Sequence, residues 1–284
     1  MKPSDGIESL RETVTYIKEK LGADLQKISL EKLVIGIFFT GVKLDSGHGG
    51  VAFTPIGEIP EAVCCPKTAA RMPQAGRMSS RSAKELLDYA LDQNVLKAAI
   101  GVAATNALSH YLWEKASPEG YQVVPDVDAL EEIDFSLAGT VTLVGAFTPF
   151  IRLIKKFPCR LYILEKNPQA LKGEELKSYR PPEAAKEVLA QSDVAILTGT
   201  TIVNHTIDHL LSLIPEACQV IVAGPTASMV PLAFFKRGVD LLGGVQVTDP
   251  DKTLAILAEG GSAYRLFGKH ARKITVRPAA EQIR

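Results

Sequence analysis

Apolar residues at Ile7, Leu10, Val14, Ile17 and Leu21 fall on one face of a 3.6-residue period and stop at Gly22, which predicts an amphipathic helix at the start of the chain. Shorter apolar runs at 26–30, 33–40 and Val51–Thr54 predict three strands, the last two joined by the glycine-rich loop GVKLDSGHGG. Residues 72–83 predict an exposed loop ending in a helix cap. From Ala83 the period lengthens into two helices. The second, Val95–Trp113, carries Ala98, Ala99, Gly101, Ala103 and Ala104, small residues that permit close packing.

Beyond residue 136 the pattern becomes regular: apolar strands near 140–145, 160–165, 193–198, 219–224 and 239–243, with helical segments between them. The stretch Thr140–Pro168 is the clearest part, a β-α-β unit made of TVTLVG, PFIRLIKKF and RLYILE. The expected division is an α+β domain over 1–115, a linker over 116–135 rich in proline and acids, and a doubly wound parallel α/β domain over 136–284. In such sheets ligands gather beyond the carboxyl ends of the strands, here Gly145, Glu165, Thr198–Thr201, Gly224–Thr226 and Gly243–Gly244.

Composition narrows the partners. Lysine plus arginine and aspartate plus glutamate are balanced at 32 each, which removes a global electrostatic case for nucleic acid or an anionic membrane. No apolar run approaches the roughly 20 residues that span a bilayer, and the first residues are polar and unlike a signal peptide, so the expectation is a soluble, cytoplasmic protein. Cys64, Cys65, Cys159 and Cys218 form no CxxC pair, and neither a zinc knuckle nor a disulfide framework is indicated. No metal ligands are assigned. A small-molecule ligand is expected, and homo-oligomerisation is left open.

Five places carry candidate chemistry. The turn Gly145-Ala146-Phe147-Thr148-Pro149 keeps only the first glycine of a dinucleotide fingerprint, and Phe147 and Pro149 crowd the approach of a pyrophosphate, so an NAD-type site is disfavoured and the cofactor stays unknown. Glu165, at the end of the next strand, is either an acceptor for a ligand hydroxyl or a solvated strand-end residue. The run Thr198-Gly199-Thr200-Thr201 with Asn204 offers hydroxyls and helix-start amides to a polar ligand, unless Asn204 or Thr206 simply caps the following helix. Gly224-Pro225 repeats that arrangement. The loop Asp45-Ser46-Gly47-His48 brings a carboxylate, a hydroxyl and an imidazole together among glycines, and Asp45 and His48 are the candidate acid–base pair, against the alternative of a plain hairpin loop.

Three further groups are weaker. Asn106 interrupts a small, apolar helix and either faces a domain cleft or bonds a neighbouring strand. His205 and His209 share a helix face but lack the glutamate of a metalloprotease motif. Arg71, Arg77 and Arg81 flank the 72–83 loop, where they would either close over an anion or remain solvated.

Taken together, GVAATNAL, VGAFTPFI, LEKNP, TGTTIVNHTIDHLL, VAGPTAS and GGVQVTDP resemble a two-domain bacterial and archaeal family of unknown function labelled "putative heavy-metal chelation". The resemblance covers nearly the whole chain. It implies an enolase N-terminal-like α+β domain followed by a Rossmann-like domain with partial similarity to methyltransferases, and a site between them. The positions it carries over are Gly145, Phe147, Pro149, Glu165, Thr198 to Thr201, Asn204, Gly224 and Pro225. It implies handling of an organic chelator rather than storage of metal by the protein: an enzyme condensing, hydrolysing or transferring groups on a pterin-, flavin- or siderophore-like molecule, or a non-catalytic carrier of such a molecule or its metal chelate.

Overall fold

A computed structural model describes residues 6–58, 74, 76–266 and 268–279; Cys64, Cys65 and Arg71 lie outside them. The first helix, α1 (Glu8–Leu21), buries Leu10, Val14, Ile17 and Leu21, the face that the periodicity predicts. Strands β1 (Leu30–Ile35), β2 (Phe39–Leu44) and β3 (Gly49–Phe53) follow as an antiparallel meander. Of the residues 26–30 expected as a strand, Gln26 and Lys27 end a 3₁₀ turn over Gly22–Lys27 and only Leu30 belongs to β1, so the strand set starts later than expected.

Helix α2 (Ala83–Tyr89) is capped by Ser82, and α3 (Val95–Lys115) by Asn94, whose side chain accepts the Leu96 and Lys97 amides. α3 is buried almost all round, from Leu96 to Leu112. Its small residues let the meander lie directly on it: a Cβ at Gly50 of β3 would sit 2.1 Å from the Ala103 carbonyl oxygen, so only glycine fits.

The second sheet has eight strands: β4 (Tyr121–Pro125), β5 (Thr140–Val144), β6 (Arg160–Leu164), β7 (Tyr179–Arg180), β8 (Val194–Thr198), β9 (Gln219–Ala223), β10 (Leu241–Val247) and β11 (Ala271–Pro278), in the order 4-11-10-9-8-5-6-7. Strands 10-9-8-5-6-7 run parallel, while β11 and β4 are antiparallel additions beside β10. The expected purely parallel sheet is therefore corrected to a mixed one, and the protein is α+β. The expected 116–135 linker is corrected as well. It contributes β4, whose Val123 and Val124 pair with Val276 and Thr275, so the segment is held by ladder hydrogen bonds.

The parallel strands are buried on both faces, which explains their continuous apolar runs. Val141, Leu143, Ile196, Ile221 and Leu241 face one core, with Phe135, Ile151 and Ile154. Ala195, Leu197, Val220, Val222 and Leu242 face another, which continues into α1, α2, α3 and the meander. A third cluster joins Phe39 and Val51 of the meander to Leu254 and Leu257 of α4 (Pro250–Ala258) and to Val245 and Val247 of β10. The two parts of the chain thus share their cores. Between β5 and β8 the chain reverses the direction in which successive strands are added, and the loops that leave the carboxyl ends of these two strands, together the mouth, depart to opposite sides.

Candidate functional site

At the mouth, Gly145 leaves β5 with φ +96°, a conformation that glycine adopts without strain. A Cβ there would meet the Thr198 hydroxyl oxygen at 2.5 Å, so the ends of β5 and β8 close directly on one another. The Gly145 N–H donates to the Leu164 carbonyl at 2.8 Å, and the Phe147 N–H to the Gly145 carbonyl at 2.9 Å. Glu165 spans the next gap. Its Oε2 accepts the Ala146 N–H at 2.8 Å and its Oε1 the Asn167 N–H at 2.9 Å. No cationic side chain among the described residues pairs with this half-buried carboxylate. Phe147 stands half-buried with its ring edge-on to Phe150 at 4.4 Å between centroids, and Pro149 starts the short helix Thr148–Ile154.

On the β8 side the hydroxyls divide. Thr201 donates to the Thr198 carbonyl at 2.8 Å and is buried. Asn204 closes its own loop through a 2.7 Å contact with the Thr206 hydroxyl, and neither residue caps the helix Ile207–Leu211 by a side-chain bond. The hydroxyls of Thr198 and Thr200 have no partner among the described residues, and both side chains are half-exposed. Gly199 is buried against Thr226, 2.7 Å from a would-be Cβ. Over this edge runs the chain after β3, tied down where the Phe53 N–H donates to the Thr226 hydroxyl at 2.9 Å and where Lys166 pairs with Glu58 at 3.3 Å.

The structure therefore brings together Gly145, Phe147, Pro149, Glu165, Thr198 and Thr200. Gly224 and Pro225 open the tight turn behind them, and Pro225 is buried. Asn106 is fully buried and stitches the same seam: its amide donates to the carbonyls of Val51 (2.8 Å) and Thr226 (3.0 Å). Of the two roles open from sequence, it takes the bond to a neighbouring strand.

Asp45 and His48 are not at this mouth. They sit at the start of β3, and Phe53 touches Thr226 at its end, about 16 Å away at strand rise. The helix repeats the measure, since His48 bonds Glu114 at 3.0 Å while Asn106 lies eight residues, about 12 Å, back along α3. Asp45 is consumed by Ser29, accepting its N–H at 3.0 Å and its hydroxyl at 2.6 Å. His48 is edge-on to Tyr111, with its other nitrogen near the Ser46 carbonyl at 3.1 Å. The two side chains thus close the hairpin and dock it on α3.

Next to His48 lies a residue that sequence reasoning missed, His110. It is fully buried, and burial first, then the neighbouring His48, pushes its pKa down to about 3, against a smaller opposing pull from the backbone of Ser228 and Gly49. Only its place within a helix that is buried almost all round hinted at this. The His205 Nε2–H donates to the Ala90 carbonyl at 3.0 Å, and His209 is exposed, so the pair forms no joint site. Burial pushes the Cys218 thiol up to about 12 and raises that of Cys159, which suits inert thiols. Among the described residues no three His, Cys, Asp or Glu side chains converge where an ion would sit, so these donors do not fit a resident heavy-metal ion. No helix among them is long and apolar enough to cross a membrane.

Two family models match the chain, both described as "Putative heavy-metal chelation": DUF4213 over residues 18–109 and DUF364 over residues 128–276. A solved DUF364-family structure of unknown function from Pyrococcus horikoshii superimposes with a TM-score of 0.75 at 22% identity, covering 95% of this chain and 99% of its own. A second, from Desulfitobacterium hafniense, gives a TM-score of 0.69 at 19% identity, covering 95% and 98%. An uncharacterized protein of Methanocaldococcus jannaschii is 27% identical over 203 residues, which are 69% of this chain and 72% of that protein. With the DUF364 model matching more than half of the sequence, the chain belongs to the family described as "Putative heavy-metal chelation".

Proposed function

We propose that the protein binds a small, donor-rich organic molecule of the chelator class, or its metal chelate, at the mouth between β5 and β8. The observation that carries this reading is the grouping of two unpartnered hydroxyls, Thr198 and Thr200, with a carboxylate, Glu165, that has no cationic partner among the described residues. Polar groups left open at a strand-end crevice are the usual marks of a ligand site. The family description supports the chelator class, and the donor set supports an organic ligand rather than bare metal. Counted from β5, the six parallel strands run 3-2-1-4-5-6, which supports the Rossmann-like reading of the second part. The meander followed by helices supports an enolase N-terminal-like first part.

The binding reading is favoured over an enzyme because the acid–base pair expected from sequence lies at the far end of β3. An enzyme acting on a pterin-, flavin- or siderophore-like molecule would have Glu165 as the carboxylate of its mouth. Mass spectrometry of molecules released from the purified protein tests the proposal. A stoichiometric, donor-rich organic ligand whose retention drops in Thr198→Val and Glu165→Gln supports it. Retention unchanged in both variants overturns it.

A further inference from the structure

We infer that Glu165 is a specificity-determining residue that closes the strand-end mouth to phosphate-bearing ligands and selects uncharged or cationic ones; this rests on the reading of that mouth as the ligand site. In sheets of this build, an anion binds where the first strand turns into its helix, using the backbone N–H groups of the turn. Here three of those donors in a row are already spent, which leaves the Thr148 N–H as the one donor of the turn without an acceptor among the described residues. Gly145 gives its N–H to Leu164, Phe147 gives its own to Gly145, and Ala146, the one between them, gives its N–H to the Glu165 carboxylate at 2.8 Å.

The second Glu165 oxygen takes the Asn167 N–H at 2.9 Å, so one side chain silences two amides on neighbouring loops. A carboxylate in that position does what a bound anion would do: it accepts both amides and brings one negative charge. An incoming phosphate therefore meets repulsion where three consecutive amides would otherwise have received it. With each carboxylate oxygen holding one amide, a second lone pair on each remains for a ligand hydroxyl or ammonium. The same residue thus rejects one ligand class and accepts another.

The test uses inorganic pyrophosphate as probe, followed by ¹⁵N–¹H spectra of the whole protein. In the native chain the Ala146 and Asn167 amides are expected not to move in a saturable way up to millimolar pyrophosphate. Glu165→Ala frees both amides and removes the charge, and its pyrophosphate affinity is expected to rise about tenfold or more, with saturable shifts at those two amides. Glu165→Gln keeps an oxygen for one amide while losing the charge, so it decides the matter should the alanine variant fail to fold; a smaller gain centred on the same amides is expected. Saturable shifts at Ala146 in the native chain, or folded variants that gain no affinity at these amides, overturn the inference. A phosphate-bearing molecule found co-purifying in the mouth would overturn it while leaving the binding reading intact. Gain of pyrophosphate by the variants with native retention untouched by Thr198→Val and Glu165→Gln would do the reverse.

Discussion

The Asp208 carboxylate accepts the backbone N–H of Ser9, at 3.3 and 3.2 Å to its two oxygens, across 199 positions of sequence. Ser9 lies in the first turn of α1, whose own N-cap position, Ile7, has no side chain able to cap it. Asp208 therefore supplies from the second part of the chain what the local sequence omits, and its negative charge also suits the positive end of the helix. Arg237 completes the joint, bonding Asp208 at 3.2 Å and Glu12 at 2.7 Å, the latter holding the Glu12 carboxyl below its ordinary range.

Asp208→Ala is expected to lower stability by about 1–3 kcal/mol, because a buried N–H loses its acceptor and Arg237 loses one of its carboxylates. Asp208→Asn, which keeps an oxygen for Ser9, should recover a large part of that loss. Urea unfolding of the three proteins checks both statements, and an alanine variant as stable as the native chain would show that α1 is held by apolar contacts alone.

How much of this was legible in the sequence depends on range. Four of the five strands expected from 140 to 243 lie within a residue of their places, because strands buried on both faces leave uninterrupted apolar runs such as VTLV and VAIL, whereas the two-residue β7 was missed and β10 starts two residues late. β4 was missed because YQVVP is a half-buried edge strand flanked by proline and glycine, which locally reads as a connector. The turns at the ends of β5 and β8 were legible through their glycines and threonines. The misplacement of Asp45 and His48 came from a quantity that the loop sequence does not contain: which end of β3 faces the carboxyl ends of the large sheet. Asp208 and Asn106 have no local signal at all, since their partners are backbone groups brought near only by tertiary packing.

Asn106 permits a sharper test. Its amide donates to two carbonyls on different segments, Val51 and Thr226, at the seam where the meander meets the large sheet. Asn106→Leu strands both acceptors and should cost about 2 kcal/mol or more. Asn106→Asp points a carboxylate at those carbonyls, so its folded-state pKa is raised above the unfolded value of about 3.9. A raised pKa means that the stability is present below the unfolded pKa and is lost as pH rises. The aspartate variant, whose protonated carboxyl can donate to one of the two carbonyls, is therefore expected to recover part of native stability near pH 4 and to fall well below it at pH 8, as thermal melts at the two values will show.

His48→Ala separates the two ends of β3. The imidazole joins the hairpin to Glu114 and rests edge-on against Tyr111, both on α3. Its removal is expected to lower stability by about 1 kcal/mol, the usual scale for a half-exposed hydrogen bond with some packing. Ligand retention at the mouth should stay as in the native protein, since nothing at that end of β3 reaches Thr198 or Glu165. Weakened retention at unchanged stability would place His48 in the site after all.

His110 makes stability depend on pH in a defined window. Its pKa falls from 6.5 to about 3 because the ring is fully buried, with the His48 imidazole adding to the effect. In the unfolded chain the ring protonates as pH drops through 6.5, whereas in the folded chain it stays neutral until about pH 3. The folded state thus binds fewer protons across that interval, and stability is full above pH 6.5 and declines as pH falls, by up to about 1.4 kcal/mol per unit. His110→Leu removes the titrating group together with the ring's weak contacts to the backbone of Ser228 and Gly49. A nonpolar side chain of similar size should cost little there. Chemical unfolding at pH 7.5, 6, 5 and 4 is the measurement: the native curve is expected to slope downward below pH 6.5 more steeply than that of the leucine variant. Parallel curves would mean that the ring takes up a proton in the folded state, with a solvent path that its burial does not reveal.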